Sequence, residues 1–294
     1  MGTVFEAMNR SQEEQARAVG AAPAVDKPEL RPEAELEQGS DEFDFIRYSL
    51  STPTAAELER MQNKIDATAF TRKNDAMPAR EVEVNVSRID PHLVTFYDCD
   101  PRASGEYTKL AGSLIAAAGT REIKRLLVAS ARHGEGRTSV LLNLACALAH
   151  AKKRVLVVDS DCKRPSVLRM LGVQAEVGVA EALARGLPAG AAALKVLPHG
   201  FVVLPILGKV ESPAELLASS SFHEMLGVFE PDYDFMLFDS WPLLDSADAS
   251  LLLRLAATTL MVVRPGKTSP GDLGRAIAPL AEENLFGIVL NRAA

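Results

Sequence analysis

Leu126-Leu127-Val128-Ala129-Ser130-Ala131-Arg132-His133-Gly134-Glu135-Gly136-Arg137-Thr138-Ser139 is the stretch on which the fold turns. Its four leading apolar residues read as a short buried strand. The chain then breaks into a glycine-bearing loop, and Val140 to Ala149 continues as a helical run. A strand, a glycine loop and a helix N-terminus together form an anion cradle: glycine lets backbone N–H groups turn inward, and the helix dipole adds partial positive charge. The common phosphate loop carries a glycine where Ala131 stands and closes in Gly-Lys-[Ser/Thr]. This one closes in Gly136-Arg137-Thr138. On its own the stretch also fits an ordinary strand-to-helix turn, so its neighbours decide.

Apolar strands are expected at Leu126–Ala129, Val155–Val158, Phe201–Leu204, Phe235–Phe238, Thr259–Val263 and Gly287–Leu290. Helical stretches fall between them, at Thr138–Ala151, Pro165–Leu171, Val179–Ala184, Pro213–Leu217, Phe222–Phe229, Ala247–Leu255 and Gly271–Glu283. Strands that are apolar throughout and alternate with helices predict an α/β fold, a doubly wound, mostly parallel sheet covered on both faces. Such sheets bind ligands beyond the carboxyl ends of their strands.

Acidic residues stand at those ends. Val155 to Val158 runs into Asp159-Ser160-Asp161, and Phe235 to Phe238 runs into Asp239-Ser240. A carboxylate after four apolar residues suits Mg2+, bound directly or through water, beside a triphosphate. Each alone also reads as a helix cap. Together, after a glycine loop, they read as one nucleotide site of a P-loop NTPase. Gly134, Glu135, Gly136, Arg137, Thr138 and Ser139 form the expected phosphate cradle. Thr138 is the natural metal ligand from the loop, or a cap of its own helix. Asp159 is the candidate catalytic base or metal-organising carboxylate. Asp161 is the second carboxylate, or a cap for the helix starting at Pro165, and Asp239 holds the metal through water. Asn291 ends the last strand, where its amide reads an adenine edge or marks a surface turn. Asp245 and Asp248 read as helix caps as readily as chemistry.

The chain of 294 residues is 47% apolar and 24% charged, the balance of a globular protein. A net charge of −7 argues against nucleic acid as a partner. Cys99, Cys146 and Cys162 show no metal-type spacing, and the latter two fall in apolar runs, so a reduced, cytoplasmic protein is expected. Met1 to Gly20 shows no secretory signal. The longest apolar run, Leu251 to Val263, contains Arg254 and is too short to span a bilayer. Recruitment to the inner face of the membrane would therefore need a partner. Residues 1–86 read as a largely disordered tail, acidic and proline-bearing over Ala21 to Asp44, with short helices at Thr3 to Val19 and Thr54 to Asp66. Val82, Val84 and Val86 alternate with polar residues, as in a half-buried strand or extended arm. Leu93 to Tyr97 reads as extended and Ser104 to Ala118 as an amphipathic helix, within a domain over 87–294.

The ordered set of segments resembles one family. VLVVDSDCKRP (155–165) is similar to the second Walker-type motif of bacterial tyrosine kinases, the cytoplasmic kinases of capsule and exopolysaccharide export, and FMLFDSWPLLDSADA (235–249) is similar to their third. LPILGKVESPAELL (204–217), VVRPGKTSPGDLGRAI (262–277) and SRIDPHLVTFYDCDPRASGEYTKL (87–110) resemble further family segments. GIVLNR (287–292) resembles the closing strand shared with Min/Par-type ATPases. The resemblance implies a deviant-Walker P-loop domain that binds ATP with Mg2+ and autophosphorylates on tyrosine. It also implies a partner, a transmembrane polysaccharide co-polymerase that completes the active state and controls chain length. Phosphate and Mg2+ would fall to Gly134, Gly136, Arg137 and Thr138, and the motif carboxylates would be Asp159, Asp161 and Asp239.

The sequence departs from that pattern at defined places. The family's phosphate lysine is Arg137, a planar fork in place of a point charge. Arg132 stands where Min/Par relatives place a second lysine. The ring-forming Glu-x-x-Arg-x-x-Arg reads Glu106, Lys109, Gly112, so a homo-oligomer would be weakened. The usual Thr-Pro-Pro after the third aspartate is Ser240-Trp241-Pro242. In place of a tyrosine-rich tail the sequence offers Tyr48, Tyr97, Tyr107 and Tyr233, with Tyr48 the most accessible acceptor. The expected function is a tyrosine autokinase or ATPase regulating exopolysaccharide assembly. Arg137 keeps open the alternative of a catalytically weakened, nucleotide-binding scaffold of the same machinery.

Overall fold

Leu126, Leu127, Val128 and Ala129 can lie side by side away from water only in a strand covered on both faces, and all four are fully buried. The computed structural model describes residues 79–97, 100–245, 249–281 and 284–292. The tail helices expected at 3–19 and 54–66, Tyr48 and Asp248 lie outside them. The strands are β1 (Arg80–Glu83), β2 (Arg125–Ser130), β3 (Val155–Asp159), β4 (Leu194–Leu197), β5 (Val202–Leu204), β6 (Phe235–Asp239), β7 (Thr258–Val263) and β8 (Leu285–Leu290). They form one sheet in the order β1-β4-β5-β3-β6-β2-β7-β8. Every neighbouring pair is parallel except β4 and β5, which form a hairpin. The helices are α1 (Pro101–Arg121), α2 (Arg137–His150), α3 (Val167–Leu171), α4 (Val179–Ala184), α5 (Pro213–Ala218), α6 (Ser220–Phe229), α7 (Ala249–Leu255) and α8 (Pro270–Ile277). No helix among the described residues is long and apolar enough to cross a membrane.

Period-two alternation sends each central strand's side chains to two separate cores. Leu126 and Val128 of β2, with Val155 and Val157 of β3, join Leu110 and Leu114 of α1 and Leu141 and Leu144 of α2. Leu127, Ala129, Leu156 and Val158 join Phe222 and Leu226 of α6 and Leu252 of α7 on the opposite face. Fully burying one such aliphatic side chain contributes roughly 1.5–3 kcal/mol. The unbroken apolar runs Leu126–Ala129, Val155–Val158 and Phe235–Phe238 therefore take the middle of the sheet.

Two local expectations are corrected, and two strands sharpen the reading. Leu93 to Tyr97 is not extended but curls into a 3-10 turn at Val94–Phe96. The side-chain amide of Asn143, on α2, accepts from Thr95 N (3.0 Å) and Thr95 Oγ1 (2.9 Å) and donates to His92 O (2.8 Å), which draws the segment onto the helix. β4 has no counterpart among the long apolar runs. It is four residues long, alternates buried with half-buried positions, and pairs Lys195 with Glu81 of β1 at 2.9 Å. β1 takes a place in the sheet beside β4 and contains Val82, where the strand or extended arm was expected, with its start two residues earlier at Arg80. Finally, α8 stops at Ile277 instead of running to Glu283, because Pro279 has no N–H for the helix and disfavours helical backbone before it.

Candidate functional site

β3, β6 and β2 are adjacent and parallel, so their carboxyl ends open together, with Asp159 and Asp239 opposite each other in register. β2 leads into the loop, where Gly134 (φ +78°) and Gly136 (φ +93°) adopt left-handed backbone. A Cβ on Gly136 would lie 2.0 Å from Asn291 Nδ2, and one on Gly134 would lie 2.6 Å from Lys267 Nζ. Glycine thus lets both side chains close on the loop: Asn291 Nδ2 donates to Glu135 O (2.8 Å) and Lys267 Nζ to His133 O (2.8 Å). Glu135 is fully buried, and its carboxylate accepts from Arg132 N (2.9 Å) and from the Thr268 hydroxyl. The N-cap of α2 is Gly136, which makes no side-chain cap bond, and the leading N–H groups of a helix are suited to an anion.

Arg137 lies beneath the loop, only 5% exposed. Its Nε donates to Ser240 O (2.8 Å), and its Nη1 to Ser130 Oγ (2.6 Å) and Arg132 O (3.4 Å). Its Nη2 reaches Asp161 Oδ2 at 3.5 Å. One guanidinium therefore ties together the ends of β2, β3 and β6, a span that suits a planar fork with five donors and not a compact ammonium. Arg132 behaves otherwise. It sits on the rim and pairs with Asp272 (3.0 Å) and Asp245 (3.5 Å).

The hydroxyl of Thr138 donates to Asp239 Oδ2 (2.7 Å) and lies 2.9 Å from Ser166 Oγ. The second carboxylate oxygen of Asp239 is buried with no hydrogen-bond partner among the described residues. Burial pushes this carboxyl up to about 6, against the opposing pull of the Arg137 charge and the Thr138 bond. Asp159 accepts from Asp161 N (3.2 Å) and Val167 N (3.3 Å), so it also caps α3. Burial first, and the Asp239 charge second, hold it well above the ordinary carboxylate range. Asp159 also borders a cavity of about 480 Å3 lined by Pro165, Leu168, Ile206, Leu207 and Lys209. An orphaned buried oxygen beside a hydroxyl and a second carboxylate is a hard-oxygen donor set that fits Mg2+.

The structure thus brings Gly134 to Ser139, Asp159, Asp161 and Asp239 to one edge of the sheet. Asp161 accepts from Arg164 N (3.0 Å), and Ser139 O accepts from Asn143 Nδ2 (2.9 Å). The Asn291 amide lies on the loop itself. Asp245 stands on the rim with Arg132. Sequence reasoning missed Ser166, whose only signal is its place as a polar N-cap before Val167, and the Ser240 carbonyl, which has none. It also missed Glu135's partner Thr268 and the Lys267 brace, both inside the family-like 262–277 segment.

The family model of ParA, described as NUBPL iron-transfer P-loop NTPase, matches residues 122–292. Tyrosine-protein kinase YwqD of Bacillus subtilis is 28% identical over 207 residues, 70% of this chain and 87% of that protein. The putative tyrosine-protein kinase AmsA of Erwinia amylovora is 29% identical over 218 residues, 73% of this chain and 28% of AmsA's own length. The solved kinase domain of the Escherichia coli tyrosine kinase ETK shares the fold, with a TM-score of 0.63 and 24% identity over 78% of this chain and 88% of that one. The ParA match takes in more than half of the chain and encloses the loop, Asp159, Asp239 and Asn291. With that span and the site it contains, the chain belongs to the ParA family of P-loop NTPases and, within it, is similar to the bacterial tyrosine kinases.

Proposed function

We propose that this protein is a Mg-ATP-dependent tyrosine autokinase of an exopolysaccharide assembly machinery, recruited to the membrane by a transmembrane co-polymerase. The observation that carries the proposal is the convergence of Thr138, Asp159 and Asp239, with one Asp239 oxygen left without a partner among the described residues. Backbone N–H groups of Gly134 to Ser139 hold the phosphates, and Arg137 fixes the shape of their cradle. Thr138, Asp239 and Asp159 would hold Mg2+, which when bound would neutralise charge on the transferring phosphoryl group. Asp159, at the end of β3 opposite Asp239, would take the phenolic proton as the tyrosyl oxygen bonds to the γ-phosphorus and the bond to the leaving ADP oxygen breaks. Asp161 holds the Arg137 fork and the turn that follows β3. Tyr107 and Tyr233 are half-buried, with phenols pushed up to about 12 chiefly by burial. Tyr97 is half-buried as well, its phenol donating to Asp90 O (3.3 Å), which favours Tyr48 as the acceptor in this proposal.

Incubation with Mg-ATP, with and without the co-polymerase's cytoplasmic segment, tests the proposal. Phosphotyrosine is expected in the wild type and lost in Asp159→Asn, which still binds nucleotide within a few-fold. Nucleotide binding with no phosphotyrosine in either condition would overturn the kinase assignment.

A further inference from the structure

The carboxyl half of α2 carries a second cluster, which the nucleotide chemistry does not use. Cys146 and His150 stand four residues apart on one face of the helix. His199 reaches them from the turn between β4 and β5. Cys146 Sγ lies 3.4 Å from His199 Nδ1 and 3.7 Å from His150 Nε2, and the two imidazole nitrogens are 3.4 Å apart. One donor atom from each of three side chains thus converges on a near-equilateral triangle. We propose that Cys146, His150 and His199 are three ligands of a tetrahedral divalent-metal site, of the class that accepts thiolate and imidazole together, with Zn2+ as the preferred ion.

The dimensions carry the proposal. Zinc holds sulfur at about 2.3 Å and nitrogen at about 2.0–2.1 Å. Adjacent corners of a tetrahedron lie about 1.6 bond lengths apart, which gives about 3.3–3.4 Å between two nitrogens and about 3.5–3.6 Å between sulfur and nitrogen. The three observed edges match these lengths. Surrounding groups fix the ligands. The Phe96 ring meets the His199 ring edge-on with centroids 4.4 Å apart, and Cys146 is fully buried. His150 is exposed, which leaves an ion a route in from solvent. Burial pushes the Cys146 thiol up to about 11 and holds the His199 imidazole down to about 4. A metal-bound thiolate would give up the thiol's proton on binding.

This site is distinct from the nucleotide site. Cys146 is eight residues beyond Thr138 on α2, about 12 Å along the axis at about 1.5 Å per residue. A bound ion would pin the far end of that helix to the β4–β5 turn.

Chelator-stripped full-length protein titrated with Co2+ provides the test. The expected result is about one equivalent bound per chain with a tetrahedral visible spectrum and a thiolate-to-cobalt charge-transfer band that Zn2+ displaces. The band should vanish in Cys146→Ser and persist in Cys162→Ser. His150→Asn and His199→Asn should each weaken binding by more than about 100-fold, beyond the loss that follows removal of an outer partner. His150 is exposed, so that variant folds even where Cys146→Ser does not. Zn2+ should also raise the thermal midpoint of the wild type and of Asp239→Asn, but not of His199→Asn. A charge-transfer band that survives Cys146→Ser, a spectrum with no tetrahedral component, or affinity unchanged in both histidine variants would overturn the site.

Discussion

Arg137 and Arg132 sit in the same loop and carry the same charge, yet they occupy opposite regimes. The floor of the loop, where Arg137 bonds Ser130, Ser240 and Asp161, is closed to water, while the rim, where Arg132 meets Asp245 and Asp272, is open to it. On the floor each donor replaces lost hydration, so removing one partner strands the others. On the rim, water and salt screen the same charges. Position relative to the sheet, and not residue type, decides which arginine belongs to the site.

The largest expected effect is on the floor. Arg137→Ala should lower unfolding stability by about 3–5 kcal/mol in a urea titration, because it leaves Asp161 buried without its charge partner. Arg137→Lys should restore less than half of that, since an ammonium cannot reach Ser240 O, Ser130 Oγ and Asp161 together. Full rescue by lysine would mean that charge alone matters there, and the contrast with the rim would collapse.

Asp239→Asn separates stability from chemistry. Turnover of Mg-nucleotide should fall by about 100-fold or more as the metal loses a ligand. Stability should move the other way. The folded carboxyl titrates near 6 against an ordinary 3.8, so its charged form is disfavoured in the fold. That penalty is absent below about pH 4, grows as pH rises through about 6 and is complete above it. The variant should therefore unfold at higher urea than the wild type at pH 7, with the two converging toward pH 4. A gap independent of pH would show that Asp239 is not the titrating group.

Arg132→Ala should have the smallest effect. Its unfolding midpoint should match the wild type in moderate salt, with any difference confined to low ionic strength. A large loss would place Arg132 functionally with Arg137.

The same distinction explains what could be read from the sequence. β2, β3 and β6 were legible because unbroken apolar runs have one destination, and Asp159 and Asp239 were legible because those runs fix where a strand ends. β4 was not, since a four-residue edge strand with a lysine carries no such pattern. The role of Arg137 was not legible either. Its partners on β3 and β6 are set by sheet order, which no local spacing encodes. Asn291 could be placed at a strand end, but only the fold shows its amide lying against Glu135. Cys146 and His150 share a helix face, while His199 joins them only once the β4–β5 hairpin exists.

The loop's outer braces have a consequence for the order of assembly. Thr268, Lys267 and Asn291 come from the last part of the chain, and Asn291 lies 156 residues beyond the carbonyl it holds. During synthesis the loop sequence emerges long before the segments that give it its shape. On the proposed function, nucleotide would not template the amino-terminal half of the domain as it appears; it would meet a finished cradle only after β8 has docked, and its binding would favour chains in which that strand is in place.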